Sequence, residues 1–189
     1  MRQPGLRARI DRRRFLTSLP LFAGAGLALA SSLRPRSVRA DDAPSDIVTV
    51  PIPGSIAPGQ HWVDVNLSQQ VACAMSGGDI IRVVLVTTGM PGWETPQGQF
   101  RILYRVADET MTSAGIGIPI DSPDGYDLDH VLYTQYFTYE GHALHDNYWR
   151  PLSVFGHTPT SHGCVGMVEG DAFYMWNWVG VGDLVNIHA

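Results

Sequence analysis

Lysine is absent from this sequence of 189 residues, and its thirteen arginines are unevenly distributed. Nine of them lie in the first 40 residues, together with a single acidic residue, Asp11. The remaining 149 residues contain four arginines and seventeen acidic residues, a formal charge of −13, against −5 for the whole chain. Because polyanions are bound through lysine and arginine contacts, this composition excludes nucleic acid as a partner.

A long apolar run is also missing. The apolar segment near the N-terminus, Leu19 to Ala30, has twelve residues, whereas a helix needs roughly 20 to span a membrane. It follows Arg12-Arg13-Arg14-Phe15-Leu16 and precedes Val38-Arg39-Ala40, an arrangement typical of a cleaved twin-arginine export signal. We therefore expect residues 1–40 to be removed on export to the periplasm, cell wall or exterior, with no transmembrane segment in the mature chain.

Cysteine is scarce, with only Cys73 and Cys164 present. An even number of cysteines in an exported protein is compatible with a disulfide. Cys73, however, lies in the apolar run Val71-Ala72-Cys73-Ala74-Met75 and is predicted to be a small, buried core residue. That prediction leaves Cys164 as a free thiol.

Strand patterns dominate the chain after a proline- and glycine-rich linker over residues 41–60. Residues 88–97 are interpreted as a structural turn, Ser76-Gly77-Gly78-Asp79 as a hairpin turn, and the polar, glycine-rich residues 108–129 as a long loop of the kind that forms lids. Short apolar or alternating runs predict strands over 61–67, 70–75, 80–87, 98–106, 131–139, 142–145 and 184–187.

Residues 169–179 have helical spacing, with acidic residues in the first turn and Gly180 just past the end. Many short strands and this one helix predict a mainly β fold, a β-sandwich or open barrel of short strands with one capping C-terminal helix. The length suits a single domain over 61–189, which we expect to be a monomer.

The segment Ser161-His162-Gly163-Cys164 places a thiol beside a histidine and a glycine. A cysteine acts as a nucleophile through its thiolate, so it needs a nearby base and N–H groups that stabilise the oxyanion formed on attack. His145 lies far enough upstream to occupy a separate strand beside Cys164. The sequence therefore predicts acyl transfer through a thioester, with His145 as base and the N–H groups of residues 162–164 as candidate oxyanion donors.

The spacing of these residues resembles a known family. His145 is followed by fifteen residues, 146–160, and then by Ser161-His162-Gly163-Cys164, which is similar to the signature of the L,D-transpeptidases of the YkuD type. Residues 62–71 resemble the opening strand pair of that catalytic domain, and residues 88–100 its glycine-proline turn. The resemblance extends from residue 61 to the C-terminus and implies a β-sandwich capped by one helix.

The same resemblance implies a reaction: attack on the third residue of a peptidoglycan tetrapeptide stem, release of the terminal D-amino acid, and transfer of the acyl group to an amine of a neighbouring stem. Peptidoglycan stem peptides are thus the expected partner, carbapenems are expected to acylate Cys164, and no cofactor or metal is expected. Cys164 matches the nucleophile, His145 the base, and Asp146 the residue whose carbonyl orients that base. The other predicted catalytic residues are His162 and Gly163, and the predicted substrate-binding residues are Ser161, Asp146, Tyr148 and Trp149.

Neighbouring histidines leave two alternatives open. His142 also fits the family's spacing as the base, although His145 is favoured because Asn147-Tyr148-Trp149 follow it. A zinc site is the second alternative, but a His-x-x-His pair on a strand would point its two side chains to opposite faces. Its potential ligands are His142, His145, His157, His162 and Cys164.

One motif position departs from the family, because Gly166 stands two residues after the cysteine, where arginine or asparagine is usual. Any substrate contact normally made by that side chain is therefore in doubt. Two alternative functions follow from the motif: an L,D-carboxypeptidase, in which water is the acceptor, and a non-catalytic domain that binds wall peptides. Transfer and hydrolysis differ in pocket shape and water exclusion rather than in the catalytic pair.

Overall fold

The computed structural model describes residues 52–189. The predicted signal peptide, 1–40, and the first part of the predicted linker, 41–51, lie outside the described residues. The predicted mainly β fold with a single α-helix near the C-terminus is confirmed for the described part of the chain. In chain order the elements are β1 (His61–Asn66), β2 (Val71–Ser76), β3 (Asp79–Thr87), β4 (Gly98–Arg101), β5 (Tyr104–Thr112), β6 (Asp127–Tyr136), β7 (Ala143–Asp146), β8 (Val165–Met167), α1 (Glu169–Trp178) and β9 (Leu184–His188).

The described strands form one curled sheet in the order β4-β9-β1-β2-β3-β8-β7-β6-β5. Neighbouring strands are antiparallel, except that β1 with β9 and β7 with β8 are parallel. The sheet has the shape of a half-barrel, which corresponds to the open-barrel form of the prediction. The helix α1 packs against β6, β7 and β8.

The predicted hairpin turn between β2 and β3 is confirmed, since Ser76 pairs with Asp79 across it. Gly77 has a φ of 57°, in the left-handed region that glycine enters without strain. A glycine at this position therefore allows the chain to reverse within two residues.

One strand prediction and the bounds of one loop prediction are wrong. The strand predicted over 98–106 is divided into β4 and β5, which pair with different partners, β9 and β6. The loop predicted over 108–129 is shorter than expected, because residues 108–112 belong to β5 and residues 127–129 to β6, and residues 113–126 connect the two strands. The polar sequence was misleading because β5 is the edge strand of the sheet, where exposed acidic side chains are tolerated.

The main core lies between the sheet and α1. It contains buried side chains from the central strands and from the inner face of the helix, including Val63, Val84, Leu144, Val165, Met167, Ala172 and Met175. An ion pair at its margin ties the helix to β3, since Arg82 Nη2 donates to Asp171 Oδ1 at 2.5 Å. Burial raises the pKa of Asp171, and the charge of Arg82 opposes this. No helix in residues 52–189 has the length and apolar character needed to cross a bilayer.

Cys73 is a buried core residue, as predicted. It is 1% exposed and packs in a second core cluster with Trp62, Val71 and Met75. Burial, with a smaller contribution from the charge of Asp64, raises the pKa of its thiol to about 12. Neither Cys73 nor Cys164 is in a disulfide, so Cys164 is a free thiol.

Candidate active site

A parallel strand pair brings the predicted base and the predicted nucleophile together. β7 contains His145, and Cys164 stands immediately before β8. The register pairs His145 with Gly166. Because side chains two residues apart in an extended chain point the same way, Cys164 and His145 face the same cavity, which both of them line.

His145 is held in a single orientation. Its side chain is 2% exposed, and its ring stacks on Trp149 with centroids 5.8 Å apart. Nδ1 is hydrogen-bonded to the carbonyl oxygen of Asp146, the contact that the family resemblance implies. A carbonyl only accepts, so Nδ1 carries the proton and Nε2 is left as the acceptor.

Burial lowers the pKa of His145 from 6.5 to about 4, and the hydrogen bond with Asp146 opposes this only in part. A buried imidazolium would lose its hydration, so the neutral ring is favoured. At neutral pH His145 is therefore an unprotonated base.

Cys164 is half-buried, and its Sγ donates to the carbonyl oxygen of Gly141 at 3.6 Å. Burial raises the pKa of this thiol to about 11; the N–H of Ala143 opposes the rise and the charge of Glu109 adds to it. The resting site is thus a neutral thiol beside a neutral imidazole. To act as a nucleophile, such a thiol would have to pass its proton to a general base.

The turn that carries Cys164 is closed by Ser161. Its Oγ donates to the carbonyl oxygen of Cys164 at 2.6 Å and accepts the N–H of Gly163 at 3.1 Å. Since this N–H is engaged within the turn, the N–H groups of His162 and Cys164 are the remaining candidates for oxyanion donors. Ser161 also accepts the N–H of Met90 at 3.0 Å through its carbonyl oxygen, which fastens the turn to residues 88–97.

Gly163 cannot be replaced without a collision. Its φ is 110°, and an added Cβ would lie 2.6 Å from Cδ2 of His142. The ring of His142 thus packs directly on the backbone of the turn, held by a 2.8 Å hydrogen bond between its Nδ1 and Thr138 Oγ1. Glycine at 163 leaves room for that ring.

The expectation that His142 and His145 point to opposite faces is wrong. Both line the same cavity. His142 precedes β7 and follows Gly141, which has a φ of 99°, so it belongs to a turn and the alternation of a strand does not apply to it. Within residues 52–189, no three histidine, cysteine, aspartate or glutamate side chains are arranged as a metal-ligand set.

A cavity of about 860 Å³ opens over these residues, a size that suits a small organic or peptide ligand. Two of the eight predicted site residues are not among its lining residues: Asp146 contributes its carbonyl to His145, and the exposed Tyr148 donates its hydroxyl to the carbonyl oxygen of Asp129 at 2.7 Å. Gly163 lies in the turn beside the cavity. The predicted residues that line it are His145, Trp149, Ser161, His162 and Cys164.

Other cavity residues were missed by the sequence analysis. Trp93 and Tyr126 flank the ring of His162, with centroids 5.0 Å and 5.4 Å from it. Trp93 lies in the segment interpreted as a structural turn and Tyr126 in the segment interpreted as a lid loop. No local sequence pattern indicated that either residue lines a cavity. Burial lowers the pKa of His162, which keeps this ring neutral as well.

The charges that face the cavity are mostly negative. Glu109, Asp124 and Glu140 line it, and Arg150 is the one cation among its lining residues. Arg150 is engaged within the protein, since its Nη2 donates to the carbonyl oxygen of Thr160 at 2.9 Å. Ligands with exposed ammonium groups are therefore favoured over polyanions.

The curled β-sheet, the oriented histidine and the cysteine in a glycine turn are together the arrangement expected of a cysteine-dependent acyl transferase. A model of the YkuD family, the L,D-transpeptidase catalytic domain, matches residues 60–187. The chain belongs to this family.

Relatives agree with this assignment. A probable L,D-transpeptidase 3 of Mycobacterium tuberculosis is 36% identical over 103 residues, which are 54% of this chain and 37% of the relative. A crystal structure of L,D-transpeptidase 3 from the same organism, with a faropenem-derived adduct, has a TM-score of 0.64 and 28% identity, covering 70% of this chain and 61% of that one. An L,D-transpeptidase from Mycobacterium smegmatis has a TM-score of 0.65 and 27% identity, covering 68% and 58%.

Proposed function

We propose that this protein is an L,D-transpeptidase that acts on peptidoglycan tetrapeptide stems through a thioester on Cys164. The observation that carries the proposal is the pairing of β7 with β8, which directs an oriented, unprotonated His145 and a free thiol into one cavity. The proposal includes export by the twin-arginine pathway and action in the periplasm, cell wall or exterior, which rest on the N-terminal sequence.

The first half of the reaction forms the acyl-enzyme. Sγ of Cys164 bonds to the carbonyl carbon of the third stem residue while Nε2 of His145 takes the thiol proton. The N–H groups of His162 and Cys164 are the candidates for holding the resulting oxyanion, at about 3–4 kcal/mol for each well-placed donor. The C–N bond to the terminal D-amino acid then breaks, and His145 returns the proton to the leaving amine.

The second half transfers the acyl group. An amine of a neighbouring stem attacks the thioester carbonyl, His145 accepts a proton from that amine, and Cys164 leaves and is reprotonated. The acidic lining of the cavity supports an amine as acceptor, because Glu109 and Glu140 favour a cationic group nearby. If water takes the place of the amine, the same steps make an L,D-carboxypeptidase.

Product analysis tests the proposal. The purified protein is incubated with a tetrapeptide stem and an excess of an acceptor stem, and the products are separated and weighed by mass spectrometry. We expect a cross-linked dimer that has lost one terminal D-amino acid and that does not form with Cys164→Ala. A tripeptide as the sole product would identify a carboxypeptidase, and an unchanged stem would contradict both activities.

A further inference from the structure

The side chain of Asn147, the residue after β7, fills the space beside Gly166. A Cβ built on Gly166 would lie 2.3 Å from Nδ2 of Asn147 and 2.9 Å from its Cβ. Contacts this short do not occur between real atoms, so no side chain fits at 166 while Asn147 keeps its position. The carboxamide of Asn147 therefore stands where a side chain two residues after the nucleophile would stand.

Asn147 also belongs to the face of the sheet that holds the catalytic pair. It directly follows the last residue of β7, Asp146, and the pairing with β8 continues to it, so its side chain lies on the same face as that of His145, two residues earlier. Its N–H donates to the carbonyl oxygen of Met167 at 2.7 Å, which continues the pairing of β7 with β8. The side chain lines the cavity that holds His145 and Cys164.

The carboxamide is left with an unmet hydrogen-bonding group. Asn147 is 3% exposed, and its Oδ1 has no hydrogen-bond partner among the described residues. An unpaired buried polar group destabilises the fold, so such groups are rare unless a ligand or another function requires them. A polar group of this kind at the wall of a reactive cavity indicates a contact that is completed by the substrate.

We propose that the Asn147 carboxamide binds the peptide backbone of the acyl-donor stem next to the carbonyl attacked by Cys164, and that it supplies, from the residue after β7, the polar group that Gly166 lacks on β8. The inference rests on the proposed function. A carboxamide can accept an N–H and donate to a C=O, so the ligand it selects is a peptide with amide groups flanking the reacting bond. Small electrophiles without such amides do not form hydrogen bonds with the Asn147 carboxamide.

Four variants test this assignment: Asn147→Ala, Asn147→Leu, Gly166→Asn, and Asn147→Ala combined with Gly166→Asn. For each, kcat/KM for acylation by a tetrapeptide stem is measured by intact mass, and the rate of alkylation of Cys164 by iodomethane, which has no amide, serves as the reference. We expect Asn147→Ala and Asn147→Leu to slow stem acylation by about tenfold or more, with alkylation unchanged within about twofold. Leucine has most of the volume of asparagine but cannot form its hydrogen bonds. Slower stem acylation by Asn147→Leu would therefore show that the hydrogen bonds matter and not only the filling of space.

The combined variant is the more demanding test. Gly166→Asn alone is expected to lose stem acylation because two side chains compete for one space. With Asn147→Ala the space is free, and we expect stem acylation to return to within about threefold of the wild type. A combined variant as slow as Asn147→Ala, or a fully active Asn147→Leu, would overturn the assignment.

The wild type separates this inference from the proposed function. If the wild-type protein is alkylated by iodomethane but never acylated by the stem, the proposed function fails and the role of Asn147 fails with it. If the wild type is acylated and Asn147→Leu is acylated equally fast, only the inference about Asn147 fails.

Discussion

Replacement of His145 by alanine is expected to slow acylation of Cys164 by about a thousandfold, whereas His142→Ala should retain more than about a tenth of the wild-type rate. The two histidines line the same cavity, but their hydrogen bonds differ. Nδ1 of His145 is satisfied by the Asp146 carbonyl, which directs Nε2 to the reaction, while His142 is bonded to a side-chain hydroxyl and packs on Gly163. The measurement is the rate of acyl-enzyme formation at saturating stem, followed by intact mass.

Matched controls make this comparison interpretable. Glutamine has much of the volume of the histidine ring but is not basic, so acylation of His145→Gln should be as slow as that of His145→Ala. Thermal unfolding of each variant shows whether the fold is retained. Equal rates for the His142 and His145 variants, or a larger loss with His142→Ala, would assign the base to His142.

Two reactions of the same thiol are expected to depend on pH in different ways. With a pKa of about 4 for His145 and about 11 for Cys164, the neutral pair prevails between those values. Acylation by a stem uses this pair, so its kcat/KM should be flat from about pH 5 to about pH 10. Alkylation by iodoacetamide requires the free thiolate, so its rate should rise about tenfold per pH unit across the same range.

The directions of the two pKa shifts follow from burial. Burial disfavours both charged forms, so it raises the thiol pKa and lowers the imidazole pKa. A preformed thiolate–imidazolium pair would require the reverse order and would give an alkylation rate that is already at its plateau near neutral pH. That plateau would contradict the neutral resting pair. Cys73→Ser is the control that assigns the alkylated thiol, and it should behave as the wild type because Cys73 is buried.

Local sequence patterns were sufficient for much of the fold. An alternating apolar pattern located β1, a continuous apolar run located β2, and the acidic first turn of α1 with the glycine after it located the helix. β8 was not predicted, because it has three residues and exists through pairing with the distant strands β3 and β7. Such pairing leaves no periodicity in a short segment.

The spacing of the motif predicted that Cys164 and His145 lie close together, and both line one cavity; their catalytic roles stay a prediction. The role of the Asp146 carbonyl came from the family resemblance, since backbone orientation has no signature in composition. Asn147 and Glu109 were not predicted to line the cavity. Asparagine is typical of turns, and an acidic residue on an edge strand is typical of the protein surface. Their positions depend on packing across strands, which a single sequence does not specify.

The measurement closest to the central claim is the intact mass of the purified protein after mixing with a tetrapeptide stem, beside Cys164→Ala. We expect a gain equal to the stem less its terminal amino acid, located on Cys164 by peptide mapping and absent from the variant. Turnover of the stem with no adduct at Cys164, or an adduct that also forms on Cys164→Ala, would contradict catalysis through this thiol.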